Sequence, residues 1–313
     1  MDDESFGISS EVQGAGNPSA TGFPGNIFQN KTGLRAGWRL LIYAAIGVVL
    51  WSSFIFLLQE LMKRARGVFS LGFLFLGEAV SFGAFFVAAL IMARVEGRRA
   101  GVYGLPARGA FGKLFWLGWL VGLCEVTALT ALIAVFGGYS FGGLAVHGGA
   151  IARWALVWAV FFVVVGLFEE FLFRGYTQYT LGDGIGFWLA AVVLSVGFGL
   201  VHLKNPGEGW VGAAGVVTIG LIFALSLRRT GSLWFAVGLH ASFDFGETFL
   251  YSVPNSGIIF DGHLSNASLH GATWLTGGTV GPEGSVFSFL TMAILAVVIH
   301  LLFPSRNTRA LEN

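Results

Sequence analysis

The chain has 313 residues, of which 55% are hydrophobic and only 11% charged, and its formal net charge is +1. So few charges cannot solvate so much apolar surface, which excludes an ordinary soluble domain. The near-neutral charge gives no sign of nucleic-acid binding, and the single cysteine, Cys124, excludes an intrachain disulfide. We therefore expect an integral membrane protein whose surroundings are the lipid bilayer, with no nucleic-acid partner.

Both ends of the chain differ in composition from its centre. The first 35 residues are polar and rich in Gly, Ser and Asn, without a basic stretch followed by a short apolar one. This composition predicts a disordered tail over residues 1–35 rather than a signal peptide. Residues 36–305 are predicted to form one transmembrane domain, and residues 306–313 a short C-terminal tail.

Long apolar windows recur through the central domain. A helix needs about 20 mostly apolar residues to cross a hydrocarbon core of about 30 Å. Because lipid offers the backbone no hydrogen-bond partners, the predicted fold class is all-α, a polytopic integral membrane protein. The windows predict about eight transmembrane helices, at residues 38–59, 69–93, 114–136, 154–180, 185–202, 210–227, 232–252 and 285–303.

Two further features concern the arrangement of these helices. Gly118 and Gly122 lie four residues apart in the third helix, a spacing that allows another helix to approach closely. With the N-terminus placed inside, thirteen Lys and Arg residues lie inside and five outside, although Lys63, Arg64 and Arg66 oppose this bias. The excess predicts that both termini are cytoplasmic. The abundance of Gly, Ala and Val favours a bacterial cytoplasmic membrane.

The stretch "FEEFLFRGY", residues 168–176, places three charges next to a long apolar run. An ionisable group at membrane depth costs at least about 2.5 kcal/mol, so each one is a functional candidate with a partner. Arg174 follows Glu170 by four residues, which predicts an ion pair on one helix face. Glu169 points about 100° away from Glu170, so we expect it to meet a different neighbour.

Two other predicted helices carry candidate partners for Glu169. "FGLVH" ends the fifth helix and places Phe198 four residues before His202. "HASFD" in the seventh helix places His240 and Asp244 on one face at the same spacing.

The turn "GDGIG", residues 182–186, lies midway between Glu169 and His202. A hairpin bent there brings both residues to one depth. His240 lies nearer to the turn at Gly231 than Glu169 and His202 lie to the turn at "GDGIG". All three residues reach the same depth only if "GDGIG" projects beyond the membrane, which the polar segment "RGYTQYTL" allows.

These three motifs together resemble those of the CAAX prenyl protease and bacteriocin-processing (CPBP, or Abi) family of intramembrane proteases. "EEFLFR" is similar to its EExxxR motif, "FGLVH" to FxxxH and "HASFD" to HxxxN/D, in the same order and within about residues 110–255. The resemblance implies an intramembrane endopeptidase in which a glutamate and a histidine activate water and a histidine with Asn or Asp stabilises the oxyanion. Carried over by position, the catalytic set is Glu169, Glu170, Arg174, His202, His240 and Asp244.

The chemistry of peptide hydrolysis agrees with these residue types. A carboxylate in an apolar site, here Glu169, is a good base for water near neutral pH, and His240 can donate to the oxygen that becomes negative. An ionised Asp244 would repel that oxygen, so it must be protonated, orient His240 or bind a metal. Glu169, His202, His240 and Asp244 are also a conceivable zinc set, although HExxH is absent. Metal dependence stays open at this stage.

The remaining membrane carboxylates have simpler interpretations. Glu78 and Glu125 are single acids that we expect to join helices or face water, outside the site, and Glu247 shares a face with Asp244 but is also left out. For function, two alternatives remain: a transporter with an intramembrane charge relay, and a non-catalytic immunity or scaffold protein. The resemblance implies a peptide or protein substrate in the membrane, prenylated in some members of the family.

Overall fold

The computed structural model describes residues 28–30, 33–64 and 71–304, and the chain divides into two compact units, Met1–Arg35 and Ala36–Asn313. In the first unit, strands β1 (Gln29–Asn30) and β2 (Gly33–Leu34) pair antiparallel. The rest of the predicted disordered tail and the predicted tail at 306–313 lie outside the described residues. So do four of the cations used for the orientation, Lys31, Arg66, Arg306 and Arg309.

In its described residues, the second unit consists of helices with very little sheet, which confirms the predicted all-α membrane fold. The helices are α1 (Ala36–Arg64), α2 (Leu71–Val95), α3 (Lys113–Val135), α4 (Gly149–Arg174), α5 (Tyr176–Ile185), α6 (Phe187–His202), α7 (Trp210–Thr230), α8 (Trp234–Phe245), α9 (Thr273–Thr276) and α10 (Val286–Leu302). Short 3-10 turns occur at Ala100–Tyr103 and Pro282–Gly284, and α8 continues into a π-helical turn at Gly246–Leu250. Strand β3 (Tyr139–Ser140) pairs antiparallel with β4 (Ser268–Leu269).

Each of the eight predicted membrane segments contains a helix, but their lengths differ. Five helical spans in the described part of the chain are long and apolar enough to cross a membrane: Ala36–Leu61, Leu71–Val95, Lys113–Val135, Gly149–Ile185 and Trp210–Thr230. Helices α6 and α10 are apolar but have 16 and 17 residues, and α8 has 12. At 1.5 Å per residue, α8 is only about 18 Å long. It is surrounded by protein, since most of its residues are buried.

The fourth predicted segment, 154–180, is broken rather than continuous. The break occurs at Gly175, where a Cβ atom would lie 2.4 Å from the carbonyl oxygen of Phe171. The predicted turn at 182–186 is also shorter than expected, because α5 runs to Ile185 and the chain reverses at Gly186, with φ of 84°. Residues 176–181 of the polar segment lie in α5, and the projection of this turn beyond the membrane stays a prediction.

Glycines bring α3 and α8 into backbone contact. A Cβ at Gly118 would lie 2.1 Å from the carbonyl oxygen of Phe235, and one at Gly238 would lie 2.1 Å from that of Phe115. At Gly122 a Cβ would lie 2.2 Å from Oγ of Ser242. The small-residue spacing of the third predicted helix thus marks the closest approach to α8, the helix that carries His240 and Asp244.

Candidate active site

A partly open cavity of about 90 Å³ lies among helices α3, α6, α7, α8 and α10, where three of the predicted site residues meet. His202 at the end of α6 and His240 and Asp244 on α8 contribute to its wall. Apolar side chains form much of the remainder, including Ile219 and Met292. The cavity thus combines side chains capable of acid–base chemistry with apolar walls that suit an aliphatic chain.

Glu170 and Arg174 lie one turn apart on α4 and form the predicted ion pair, with Arg174 Nη1 3.3 Å from Glu170 Oε1. Their side chains are 0% and 1% exposed. The same oxygen of Glu170 lies 3.0 Å from Nδ1 of His240. Glu170 therefore connects the arginine of its own helix to the histidine of α8.

Aromatic rings surround the guanidinium of Arg174. Its Cζ lies 4.4 Å from the ring centroid of Phe198 and 5.5 Å from that of Phe223, distances typical of cation–π contacts. A Cβ at Gly220 would lie only 2.4 Å from Arg174 Nη2, so a glycine on α7 leaves space for the side chain. Phe198, the first residue of "FGLVH", thus supports the arginine of the first motif.

Glu169 meets the same histidine as Glu170, contrary to the sequence expectation. Its Oε2 atom lies 3.7 Å from Nε2 of His240, whereas Glu170 contacts Nδ1 on the other side of the ring. The prediction of different neighbours was wrong because two long side chains 100° apart can both reach one imidazole lying against their helix. Gly166 lets α8 come this close, since a Cβ there would lie 3.2 Å from the carbonyl oxygen of Val237.

Asp244 completes the surroundings of His240. Its Oδ2 atom lies 3.4 Å from Nε2 of the histidine one turn earlier on α8. The ring of Phe223 stacks on the imidazole, with centroids 5.5 Å apart and an interplanar angle of 12°. The imidazole is thus fixed by three carboxylates at its edges and an aromatic ring on its face.

His202 is held by its own helix rather than by Glu169. Its Nδ1 atom lies 2.9 Å from the carbonyl oxygen of Phe198, and the two rings meet edge to face with centroids 4.5 Å apart. A bond to a carbonyl requires the proton on Nδ1, so the neutral imidazole keeps a lone pair on Nε2. Within the described part of the chain, no ion pair or hydrogen bond joins His202 to Glu169.

The cavity also contains carboxylates that the sequence analysis did not assign to the site. Glu125 on α3 and Glu247 in the π-helical turn line it, although the sequence did not predict them in the site, and Glu283 lines it too. A signal for Glu125 was present, because it lies seven residues after Gly118 and so on the helix face that meets α8.

Glu283 carried no comparable signal, since it lies in the 3-10 turn at Pro282–Gly284. Its Oε1 atom accepts a hydrogen bond of 2.5 Å from the backbone N–H of Ser256. Burial raises the pKa of Glu283 to about 7. Only the fold of the segment between α8 and α10 brings it to the cavity.

The conceivable zinc set stays a prediction. In the described ranges, no group of three or more His, Cys, Asp or Glu side chains is arranged to hold a metal ion. At His240, Nδ1 contacts Glu170, whereas Nε2 faces Asp244 and Glu169, two other members of the conceivable set.

Comparison with known proteins agrees with the motifs. Residues 151–246 match the family model described as type II CAAX prenyl endopeptidase Rce1-like. None of the curated proteins matches the chain. The predicted resemblance to the CAAX protease family is thereby confirmed over residues 151–246, which include all six predicted site residues. The match supports a CAAX-type intramembrane protease with a peptide substrate, in a multi-pass membrane protein.

Proposed function

We propose that this protein is an intramembrane endopeptidase that hydrolyses peptide bonds with a water molecule activated by Glu169 and His202. The observation that carries the proposal is the position of His240 at the wall of the cavity, bounded by Glu169, Glu170 and Asp244. A group that can donate a hydrogen bond thus lies beside a carboxylate that can accept a proton. Peptide hydrolysis requires both functions close together.

In the proposed reaction, Glu169 takes a proton from water while the water oxygen attacks the carbonyl carbon of the peptide. His202 keeps Nε2 as an acceptor because its Nδ1–H bonds to Phe198, so it can orient the same water. The carbonyl oxygen becomes negative and accepts a hydrogen bond from His240. The C–N bond then breaks, and the proton held by Glu169 passes to the departing nitrogen.

Glu170, Arg174 and Asp244 have positioning roles in this mechanism. Glu170 accepts from Nδ1–H of His240, which fixes the plane of the ring. An imidazole that also donates from Nε2 carries a positive charge, which the neighbouring carboxylates balance. Arg174 compensates the charge of Glu170, and Asp244 holds the other edge of the ring.

The proposed substrate is a peptide or protein segment within the membrane, and a prenyl group on it would suit the apolar wall of the cavity. The proposed location is the bacterial cytoplasmic membrane with both termini in the cytoplasm. Three ion pairs support placing the start of α1, the segment that follows α2, and helix α5 on the same side of the membrane. They join Arg39 to Glu96 at 3.2 Å, Arg39 to Asp183 at 2.9 Å and Arg98 to Asp183 at 3.0 Å. This basic end is the one expected to face the cytoplasm.

The test is cleavage of a peptide library, with and without a prenyl group, by the purified protein in detergent. We expect new peptide termini in the mass spectrum of the wild-type reaction. Glu169→Gln and His202→Ala should each lower the rate at least about 100-fold, because general base catalysis contributes about 10²–10⁴. Both variants should still insert and give wild-type-like melting curves.

Matched controls use residues of the same type away from the cavity. His263 also uses Nδ1 to contact a backbone carbonyl, that of Phe260 at 2.8 Å, and Glu60 is a half-buried glutamate on α1 that pairs with Lys63. His263→Ala and Glu60→Gln should keep wild-type rates. The absence of new termini with every peptide would favour a transporter or a scaffold, and near-wild-type turnover by Glu169→Gln would remove Glu169 from the mechanism.

A further inference from the structure

A second group of acids lies on the cavity wall next to the proposed reaction centre. Glu125 and Glu247 are 7% and 1% exposed, and both line the cavity. Glu125 Oε2 and Glu247 Oε1 have no hydrogen-bond partner in the protein. An unpartnered carboxylate oxygen that is buried at a cavity wall is costly, so its retention points to a ligand that enters the cavity.

Acids outnumber bases among the ionisable side chains that line the cavity, whose bases are His202 and His240. Glu125, Asp244, Glu247 and Glu283 are all in its wall, whereas none of the described residues that line it is Lys or Arg. The nearby Arg174 is already paired with Glu170. The Oε2 atom of Glu283 is likewise buried without a hydrogen-bond partner in the protein, although its Oε1 accepts from the backbone N–H of Ser256. A cation could relieve the repulsion among these acids.

The surroundings of these acids suit an organic cation better than a metal ion. No group of acids and histidines in the described residues has the arrangement that a metal needs. Leu129, Ile219 and Met292 line the same cavity and offer apolar contact to an aliphatic chain. Lysine and arginine side chains combine such a chain with a charged end.

We infer that Glu125, Glu247 and Glu283 bind a cationic group of the substrate, an ammonium or a guanidinium. The peptide part of this inference rests on the proposed function, whereas the cation site does not. Glu247 follows Asp244 by three residues, a rise of about 4.5 Å along a helix, so the cation lies about one turn from the reaction centre. The cationic group therefore belongs to a residue close to the cleaved bond.

The experiment measures binding, so that it does not depend on cleavage. The probe is a fluorescent twelve-residue peptide of Leu and Ala with one central lysine, compared with the same peptide carrying norleucine, each with a free and an acetylated N-terminus. Binding is measured in detergent to the Glu169→Gln protein, in which no peptide is consumed. The lysine peptide should bind at least about tenfold more tightly than the norleucine peptide when both are acetylated. A preference seen only with a free N-terminus would assign the site to the terminal ammonium, which also supports the inference.

The same preference is then measured after Glu125→Gln and Glu247→Gln, which keep the shape of the side chain, with Glu60→Gln as the control. Either cavity variant should reduce the preference to less than about threefold, while the control keeps it. Equal binding of all four peptides to the parent protein, or an undiminished preference in both cavity variants, would overturn the inference. A charge preference without cleavage by the wild type would sustain the cation site and refute the proposed protease.

Discussion

His240 is the residue at which the interactions of the site converge. Its two ring nitrogens contact carboxylates from α4 and α8, and Phe223 from α7 covers its face. An imidazole so restricted has one orientation, and a donor fixed in advance stabilises a developing negative charge better than one that must reorient. Under the proposed mechanism, the fixed orientation of His240 therefore helps to stabilise the oxyanion.

At the residue scale, the buried ion pair predicts an effect on stability. Arg174→Ala leaves the carboxylate of Glu170 without its cation at 0% exposure. Loss of one partner of a buried pair typically costs about 3–5 kcal/mol, so we expect a clear fall in the melting temperature in detergent. Arg98→Ala is the control, because Arg98 is 36% exposed in its pair with Asp183 and such pairs contribute about 1 kcal/mol or less. Equal melting of wild type and Arg174→Ala would contradict the pairing.

Asp244 allows a second prediction at this scale. If it orients His240, Asp244→Asn should keep at least about a tenth of the cleavage rate, because an amide has the same shape and can also hydrogen-bond. Chelators should have little effect on either protein. The zinc content of the purified wild type and of Asp244→Asn is measured as well. Stoichiometric zinc in the wild type that is absent from the variant would contradict this mechanism and indicate a metal-dependent one.

At the element scale, the contact between α3 and α8 determines where the site lies. Gly238 is two residues before His240, and its absent side chain lets the backbones of the two helices meet. A larger residue there would push α8 away from α3 and shift His240 and Asp244 relative to α4. Catalysis is sensitive to displacements of about 1 Å, so activity should respond together with stability.

Gly238→Ala tests this contact. Its Cβ would lie 2.1 Å from the carbonyl oxygen of Phe115, so we expect a loss of about 1–3 kcal/mol in stability and a lower cleavage rate. The matched control is Gly83→Ala on α2, where a Cβ meets nothing within 4 Å. That substitution should be neutral or stabilise the helix by up to about 1 kcal/mol. Similar melting curves for the two variants would show that the close approach is not required.

At the scale of the whole molecule, the orientation in the membrane can be measured. In a Cys124→Ala background, a single cysteine is placed either at Ala107, before α3, or at Ser140, in β3 after α3. Helix α3 separates these exposed positions by a membrane crossing. Intact cells should react with an impermeant maleimide only at position 140, if the N-terminus is cytoplasmic. Labelling at position 107 alone would reverse the proposed orientation.

The motifs could be recognised in advance because each is local. The ion pair of Glu170 with Arg174 follows from a spacing of four residues on one helix, and the structure confirms it at 3.3 Å. The helices themselves were predictable from apolar length. Their ends were not: a single glycine, Gly175, whose ψ of −124° is not helical, divides the fourth segment.

Other features depended on residues far apart in the chain. His240 was a candidate partner of Glu169, but its sharing with Glu170 was not predicted, because periodicity gives a direction on a helix and not the neighbour found there. Glu125 looked like a single membrane acid, and Glu247 was not predicted to be in the site although it shares a helix face with Asp244. Glu283 lies in a short turn with no helical pattern at all. The acids became one group only when α3, the π-helical turn and the segment before α10 enclosed the same cavity.

The sequence by itself determined that this is an all-helical membrane protein with three protease-like motifs, because hydropathy and short spacings act through local backbone geometry. Only the tertiary structure decided which side chains share one imidazole, how α8 is enclosed by longer helices and which acids face the cavity. The physical reason is that helix packing depends on small residues such as Gly118 and Gly238 meeting a particular partner, and a partner cannot be read from one helix alone.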